Sequence, residues 1–271
     1  MKTHITNKEI WSIALPIMLG NMAQTIINFT DTAFLGHLGV VALGASMLAG
    51  LFYFVFTTIA AGFAVGVQII IARRFGEKNY GRIGVIFQHG SLFVLVLGCL
   101  LLSVLYLFSD HLLLWLIDSQ NIYEASLDYI KYRQFGIIFV CFNFLYRALY
   151  VGTSSTKVIT YSTIIMAVVN IFLDYCLIFG NCGFPEMGIA GAAWATVIGQ
   201  WAGAFLGLYL NEKHNPEVQF GREFAKPKWA IIKPILTVGI PSVIMNGIGS
   251  VMNFGMNQIF LGFDEIGETA S

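Results

Sequence analysis

The residues Ile10–Gly36, IWSIALPIMLGNMAQTIINFTDTAFLG, decide what kind of protein this is. The run is long enough to cross a bilayer, because about 20 apolar residues rising ~1.5 Å each span roughly 30 Å of hydrocarbon. Two residues do not belong in a plain anchor. Pro16 lacks a backbone donor near the helix start and invites a bend. Asp31 puts a carboxylate where an ionised group is costly unless it is paired, hydrated or protonated. An acid at that depth is a functional candidate, and the rest of the chain has to supply its partners.

Composition describes the same environment. The 271 residues are 57% hydrophobic and 11% charged, against about 25% charged in a soluble domain. The formal net charge is zero, which argues against nucleic acid as a partner. Cys99, Cys141 and Cys176 lie inside apolar runs and Cys182 is alone in a loop. That pattern offers neither a disulfide framework nor a metal-ligand spacing, and no cofactor is expected. The N-terminal MKTHITNKEIW leads into an apolar stretch too long for a signal-peptide core, with no small-residue cleavage site after it. The first helix is therefore expected in the mature protein.

Seven apolar segments can be marked, near 10–36, 43–72, 83–108, 129–151, 157–180, 188–210 and 230–262. Their lengths forbid a transmembrane barrel and predict an all-α, polytopic membrane helical bundle. Of 15 Lys and Arg, all but Lys131 and Arg133 fall at the N-terminus or around loops 2–3, 4–5 and 6–7. This bias places the N-terminus in the cytoplasm. The stretch 109–128, SDHLLLWLIDSQNIYEASLD, reads as an interfacial helix on the outer side with Trp115 at headgroup level, or as a solvated loop with one apolar turn. The polar stretch 211–229, broken by Pro216 and Pro227, reads as a linker.

The last segment echoes the first. A shift of 225 residues pairs Pro16 with Pro241, Asn21 with Asn246, Asn28 with Asn253, Phe29 with Phe254, and Ala45-Ser46 with Ala270-Ser271. Six segments separate the copies, an even number, so the repeat is parallel. The expected organisation is a six-helix lobe over 1–210, a cytoplasmic linker over 211–229, and the first helix of a second, truncated lobe over 230–271. The intact protein would then carry about twelve helices.

Only two acids lie well inside the segments, Asp31 and Asp174. Given the orientation, both sit roughly 8–12 Å below the outer boundary, as does Thr196, and Asn170 lies one turn below Asp174 on the same face. Two carboxylates with an amide and a hydroxyl suit a proton or a small hard cation such as Na⁺. The bland alternative is polar glue between helices. Gly191, Ala195, Gly199, Gly203 and Gly207 repeat every four residues and open the sixth segment to close packing, as Gly62 and Gly66 do the second. Arg147 reads as a residue that snorkels to the inner interface. Phe52, Tyr53 and Tyr150 are among the aromatics able to line a cavity for a flat apolar substrate.

Taken together, Pro16 and Asp31, the Asn170-x-x-x-Asp174 spacing, Thr196 within GAAWAT, and the restart at Ile240-Pro241 make the chain resemble the amino-terminal lobe of a multidrug and toxic compound extrusion (MATE) transporter. The resemblance covers essentially the whole chain and is to the branch typified by DNA-damage-inducible protein F. It implies a multi-pass protein of the cytoplasmic (inner) membrane, not an enzyme, that exports amphipathic cationic drugs in exchange for H⁺ or Na⁺. It also implies that Asp31, Asn170, Asp174 and Thr196 form the cation site, that helix 1 bends near Pro16, and that a second lobe of the same polypeptide is required. A lipid-linked saccharide flippase of related architecture is the alternative; it would want a cationic cavity, for which intramembrane positive charges are few. An intramembrane aspartyl protease is more remote, since the Gly-x-Gly-Asp context it uses is absent around both acids.

Overall fold

The computed structural model describes residues 6–214 and 228–269, and every regular element among them is helical. The α-helices are α1 (Asn7–Leu38), α2 (Val40–Gly76), α3 (Tyr80–Leu116), α4 (Gln120–Arg133), α5 (Ile137–Gly152), α6 (Lys157–Phe179), α7 (Ile189–His214) and α8 (Trp229–Thr269). A short 3-10 turn, Gln134–Gly136, joins α4 to α5, so these two make one crossing from Gln120 to Gly152. Seven helices are thus long and apolar enough to cross a membrane, matching the seven segments read from the sequence.

The ends of those segments needed correction. Residues 109–116 do not form a separate interfacial helix; they are the last two turns of α3, with Leu113 and Ile117 buried and Trp115 exposed. The second half of that stretch opens α4, which starts at Gln120 rather than 129. The Tyr123 hydroxyl donates to Asp110, and Ser126 Oγ donates to Ala45 O at 3.2 Å. Charge at Asp110 and Asp118 marks where the apolar run ends, but a helix ends only where its backbone turns, here at the extended Ile117. The linker interior, 215–227, lies outside the described residues, as do Lys2, Arg222, Lys226 and the Ala270-Ser271 pair.

Helix α2 is the hub. It buries Ala45, Ala49, Phe52, Tyr53, Ala60, Phe63, Val67 and Ile71 along a helical stripe and packs against α3, α4 and α5. Gly62 and Gly66 face α8. A Cβ on Gly62 would stand 2.5 Å from the Val243 Cα, and one on Gly66 would stand 2.8 Å from Ile235 O. The close contact that these glycines open is therefore made by the seventh crossing. The glycines of α7 serve α6 and α5 in the same way. A Cβ on Gly191 would meet Leu177 O at 2.6 Å, and one on Gly207 would meet the Tyr146 ring at 3.0 Å. At that last crossing the Tyr150 hydroxyl donates to Gly207 O at 3.0 Å.

Helices α1 and α8 are the least covered. Met18, Met22 and Phe29 on α1, and Met245, Ile248 and Met252 on α8, remain exposed. α1 rests on α6, where Thr156 Oγ1 donates to Ile13 O at 3.2 Å and Thr160 Oγ1 donates to Pro16 O at 2.7 Å. These two hydroxyls, one turn apart on α6, grip the α1 backbone around its proline. At the start of α8, the buried His89 of α3 accepts from the Lys228 backbone N–H at 3.2 Å, while its Nδ1 lies 2.8 Å from Val85 O.

Candidate cation site

Four helices bring the site together. α6 contributes Asn170 and Asp174 from one face, 1% and 0% exposed. α1 lies against that face and presents the half-buried Asp31, and α7 adds the buried Thr196. α4 contributes Tyr129, which is buried and within side-chain hydrogen-bonding reach of Thr196. Asp31 lies beside Asp174 and Asn170 across the α1–α6 contact, without a hydrogen bond to either. The four residues singled out from sequence depth, Asp31, Asn170, Asp174 and Thr196, therefore do share one locus. Gly199 lets α6 and α7 close over it, since a Cβ there would lie 3.3 Å from the Asn170 Cβ.

Proximity has not produced directed hydrogen bonds. Asp31 Oδ1, both carboxylate oxygens of Asp174 and both side-chain polar atoms of Asn170 are sealed from solvent without a hydrogen-bond partner. Chemistry explains part of this, since an ionised carboxylate only accepts and two facing carboxylates cannot bond without a proton between them. Each orphaned buried polar atom costs about 1–3 kcal/mol, and more where charged. The Thr196 hydroxyl spends its hydrogen on Ala192 O at 2.9 Å, which leaves its oxygen lone pairs as acceptors. The result is a cluster of unpaired oxygen acceptors, with the Asn170 amide nitrogen also unpaired among them. Hard oxygen donors favour small hard cations over soft metals. Among the described residues, no group of three or more His, Cys, Asp or Glu gathers as a metal site.

One charged neighbour was missed in the sequence. Arg133, counted there as an outer topology determinant, sits in the last turn of α4 inside the crossing. Its guanidinium lies 4.9 Å from the centre of the Tyr53 ring. Its Nη1 and the Tyr53 hydroxyl are both buried without hydrogen-bond partners. The signal was present. Arg133 lies only four residues inside the fourth segment, about as deep as Asp31 from the same boundary, and follows Tyr129 at helical spacing.

Other candidates fall elsewhere. Pro16 lies inside α1, and the carbonyls gripped by Thr156 and Thr160 flank it. Arg147 does not simply reach for the interface; its Nη2 donates to Asn21 Oδ1 on α1 at 3.1 Å. Phe52, Tyr53 and Tyr150 are core residues rather than cavity lining: Phe52 packs on Phe56 at 5.2 Å, Tyr53 lies under Arg133, and Tyr150 is tied to α7.

Among the described residues, seven membrane-length helices define a multi-pass membrane protein. The chain belongs to the MatE family, whose model matches residues 16–176. It is 32% identical over 244 residues to the probable multidrug resistance protein NorM of Thermotoga maritima, covering 90% of this chain and 52% of that protein. It is 25% identical to a MOP superfamily transporter from Pyrococcus furiosus, with TM-score 0.84, covering 93% of this chain and 55% of that one. A MATE protein solved in its straight conformation gives TM-score 0.83 at 26% identity, covering 94% of this chain and 56% of that one. The chain thus spans about half the length of the relatives it matches.

Proposed function

We propose that this chain is the amino-terminal part of a secondary antiporter that exports amphipathic, cationic compounds in exchange for H⁺ or Na⁺. It would lie in the cytoplasmic (inner) membrane with its N-terminus inside. In this reading residues 1–210 form the first lobe, 211–229 the linker and 230–271 the start of a second lobe. The observation that carries the proposal is the convergence of Asp31, Asp174 and Asn170, from two helices, into a buried cluster whose oxygens lack donors. Amides and hydroxyls would bridge helices without the charge penalty, which weighs against polar glue as the role of two acids here. A proton or a Na⁺ supplies what the cluster lacks, with Asp31, Asn170, Asp174 and Thr196 as its oxygen donors.

Coupling follows from where the site is built. α6 and α7 are locked together by close glycine contacts, whereas α1 is lightly covered. α1 is held to α6 around Pro16 by two hydroxyls, and near its other end it meets the acid cluster with no hydrogen bond between them. Neutralising that cluster changes the interaction of α1 with α6 at one end only, so Pro16 is the natural hinge. Shifting two conformations from about 1:99 to 99:1 requires about 5.5 kcal/mol. Relief of two or three orphaned, partly charged atoms at about 1–3 kcal/mol each is of that order. Movement of α1 would then reshape the cavity that it walls against the second lobe, and substrate would leave outward.

The test is drug efflux by the full-length protein carrying Asp31→Asn, which keeps shape and removes the titratable charge. Loss of ion-driven efflux with normal membrane insertion is expected; undiminished efflux would sink the assigned role.

A further inference from the structure

Arg147 holds a charge inside the bundle that the cation site does not use. It lies five residues before the end of α5 at Gly152, about 7–8 Å inside that end of the crossing. A charge at such a depth faces the bundle interior or a water-filled cavity and marks a functional site by default. Its Nη2 donates to Asn21 Oδ1 on α1 at 3.1 Å. Helices α1, α6, α7, α5 and α2 pack each on the next and close a ring, in which α1 and α5 are not neighbours and share little packing. The guanidinium therefore reaches across the interior of that ring. Among the described residues no Asp or Glu forms an ion pair with it. It is half-buried and, unlike Arg133, has no nitrogen sealed away without a partner. The face of α1 that it meets is polar: Asn21, Gln24, Asn28 and Asp31 recur at spacings of three and four residues. Gln24 Nε2 donates to Asn28 Oδ1 at 3.4 Å, whereas Thr25, Thr30 and Thr32 turn their hydroxyls onto the α1 backbone.

We propose that Arg147, steadied by Asn21, is a specificity-determining residue that binds an anionic oxygen group of the exported compound. The substrates are then amphipathic zwitterions, with a carboxylate or similar oxyanion besides a cationic centre. This rests on the antiport reading above and names its substrate class. A guanidinium presents five N–H donors in a planar fork that matches a carboxylate or a phosphate. Asn21 spends its side-chain oxygen on that fork, so what it has left to offer is N–H, which also suits an anion. A helix tie alone would not need the charge, since two amides would bridge α5 and α1 without it. A purely cationic guest is repelled by Arg147. Asp31 stands ten residues beyond Asn21 on α1, about 15 Å along the axis. An elongated guest can lay its anionic end on Arg147 with its cationic centre toward the acid pair, and Gln24 and Asn28 line the way between. A phospholipid phosphate has the same chemistry, but Arg147 points across the ring toward α1 rather than out to lipid.

The test compares rhodamine B, an amphipathic cation with a free carboxylate, with its ethyl ester, the same cation with that group masked. Binding of each dye to the full-length transporter in phosphatidylcholine nanodiscs is read by fluorescence polarisation. The native protein should bind rhodamine B about tenfold more tightly than the ester, the size of a hydrogen bond to a charged group. Arg147→Gln should bring the two dyes to about equal affinity. Arg147→Lys, which keeps the charge but not the fork, should keep a smaller preference of the same sign. Rhodamine B binding no tighter than its ester, or not at all, overturns the proposal, as does a preference that survives in Arg147→Gln. Should Arg147→Gln not fold, the native protein and Arg147→Lys still decide, because absence of the preference in either overturns it. A preference that vanishes in nanodiscs of phosphatidylglycerol would make a lipid phosphate the occupant and overturn the substrate assignment. The antiport reading has its own test in Asp31→Asn, so a failure here is distinct from a failure there.

Discussion

The contact between α2 and α8 yields the sharpest stability prediction. Replacing Gly62 by Ala places a methyl 2.5 Å from the Cα of Val243 and 2.6 Å from its backbone nitrogen. Carbon contacts are comfortable at about 3.5–4.0 Å, so the helices must part by about 1 Å, and no rotamer can relieve a clash with backbone. A gap of that size forfeits a quarter to a half of each neighbouring contact's attraction, and overpacking of this kind costs about 1–3 kcal/mol. The alanine returns about 0.5–1 kcal/mol through helix propensity. The net expectation is a loss of about 1 kcal/mol. Gly50 lies on the same helix with nothing within 4 Å of its would-be Cβ, so Gly50→Ala keeps the propensity gain alone. The two variants should differ by roughly 2 kcal/mol, which at about 2–4 °C per kcal/mol is a separation of roughly 4–8 °C. Thermal unfolding of the detergent-purified protein reads this directly. If Gly62→Ala melts at or above Gly50→Ala, α8 does not sit on the α2 glycines and the packing argument fails.

The other predictions concern single hydrogen bonds. Thr160→Val, close in shape, removes the donor to Pro16 O and should lower stability by about 0.5–1.5 kcal/mol; an unchanged melting temperature would mean that the grip on α1 contributes nothing. Tyr150→Phe leaves the ring in place but takes the hydroxyl from Gly207 O, at a cost of about 1–3 kcal/mol if that carbonyl finds no other donor. Glu77, just beyond α2, is hydrogen-bonded by Arg74 and Arg73, and the Arg74 bond foremost holds its carboxyl below the ordinary glutamate range. A depressed acid adds stability at neutral pH and loses it only as pH falls through the lowered value. Because this pair faces water, Glu77→Gln should leave melting at neutral pH unchanged. A drop of several degrees would contradict the surface reading.

Much of the molecule was legible before any coordinates. Apolar run length fixed seven crossings because hydrocarbon thickness sets helix length, and α1 through α8 supply seven. The depth argument put Asp31, Asp174 and Thr196 at one level, and helical spacing set Asn170 on the face of Asp174, because helical rise converts residue count into height. It failed for Arg133. A basic residue near a segment end was read as an orientation signal, and nothing local distinguishes that use from a guanidinium folded inward onto Tyr53. The same blindness to helix ends made residues 109–128 read as a separate interfacial helix or a solvated loop. Polarity reports where lipid stops, but α3 continues until the backbone turns at Ile117.

By itself, then, the sequence determined composition, crossings, the small-residue stripes and the level of the acids, all of which are properties of one helix at a time. Tertiary structure alone decided which helices meet. It set α8 rather than a neighbour in sequence on Gly62 and Gly66, hooked Thr156 and Thr160 onto the carbonyls around Pro16, and seated Arg133 on the Tyr53 ring. The physical reason is that a membrane helix satisfies its own backbone bonds and solvates its own apolar surface, so its identity is local. Its partners follow from shape and from buried charge that no single helix can balance.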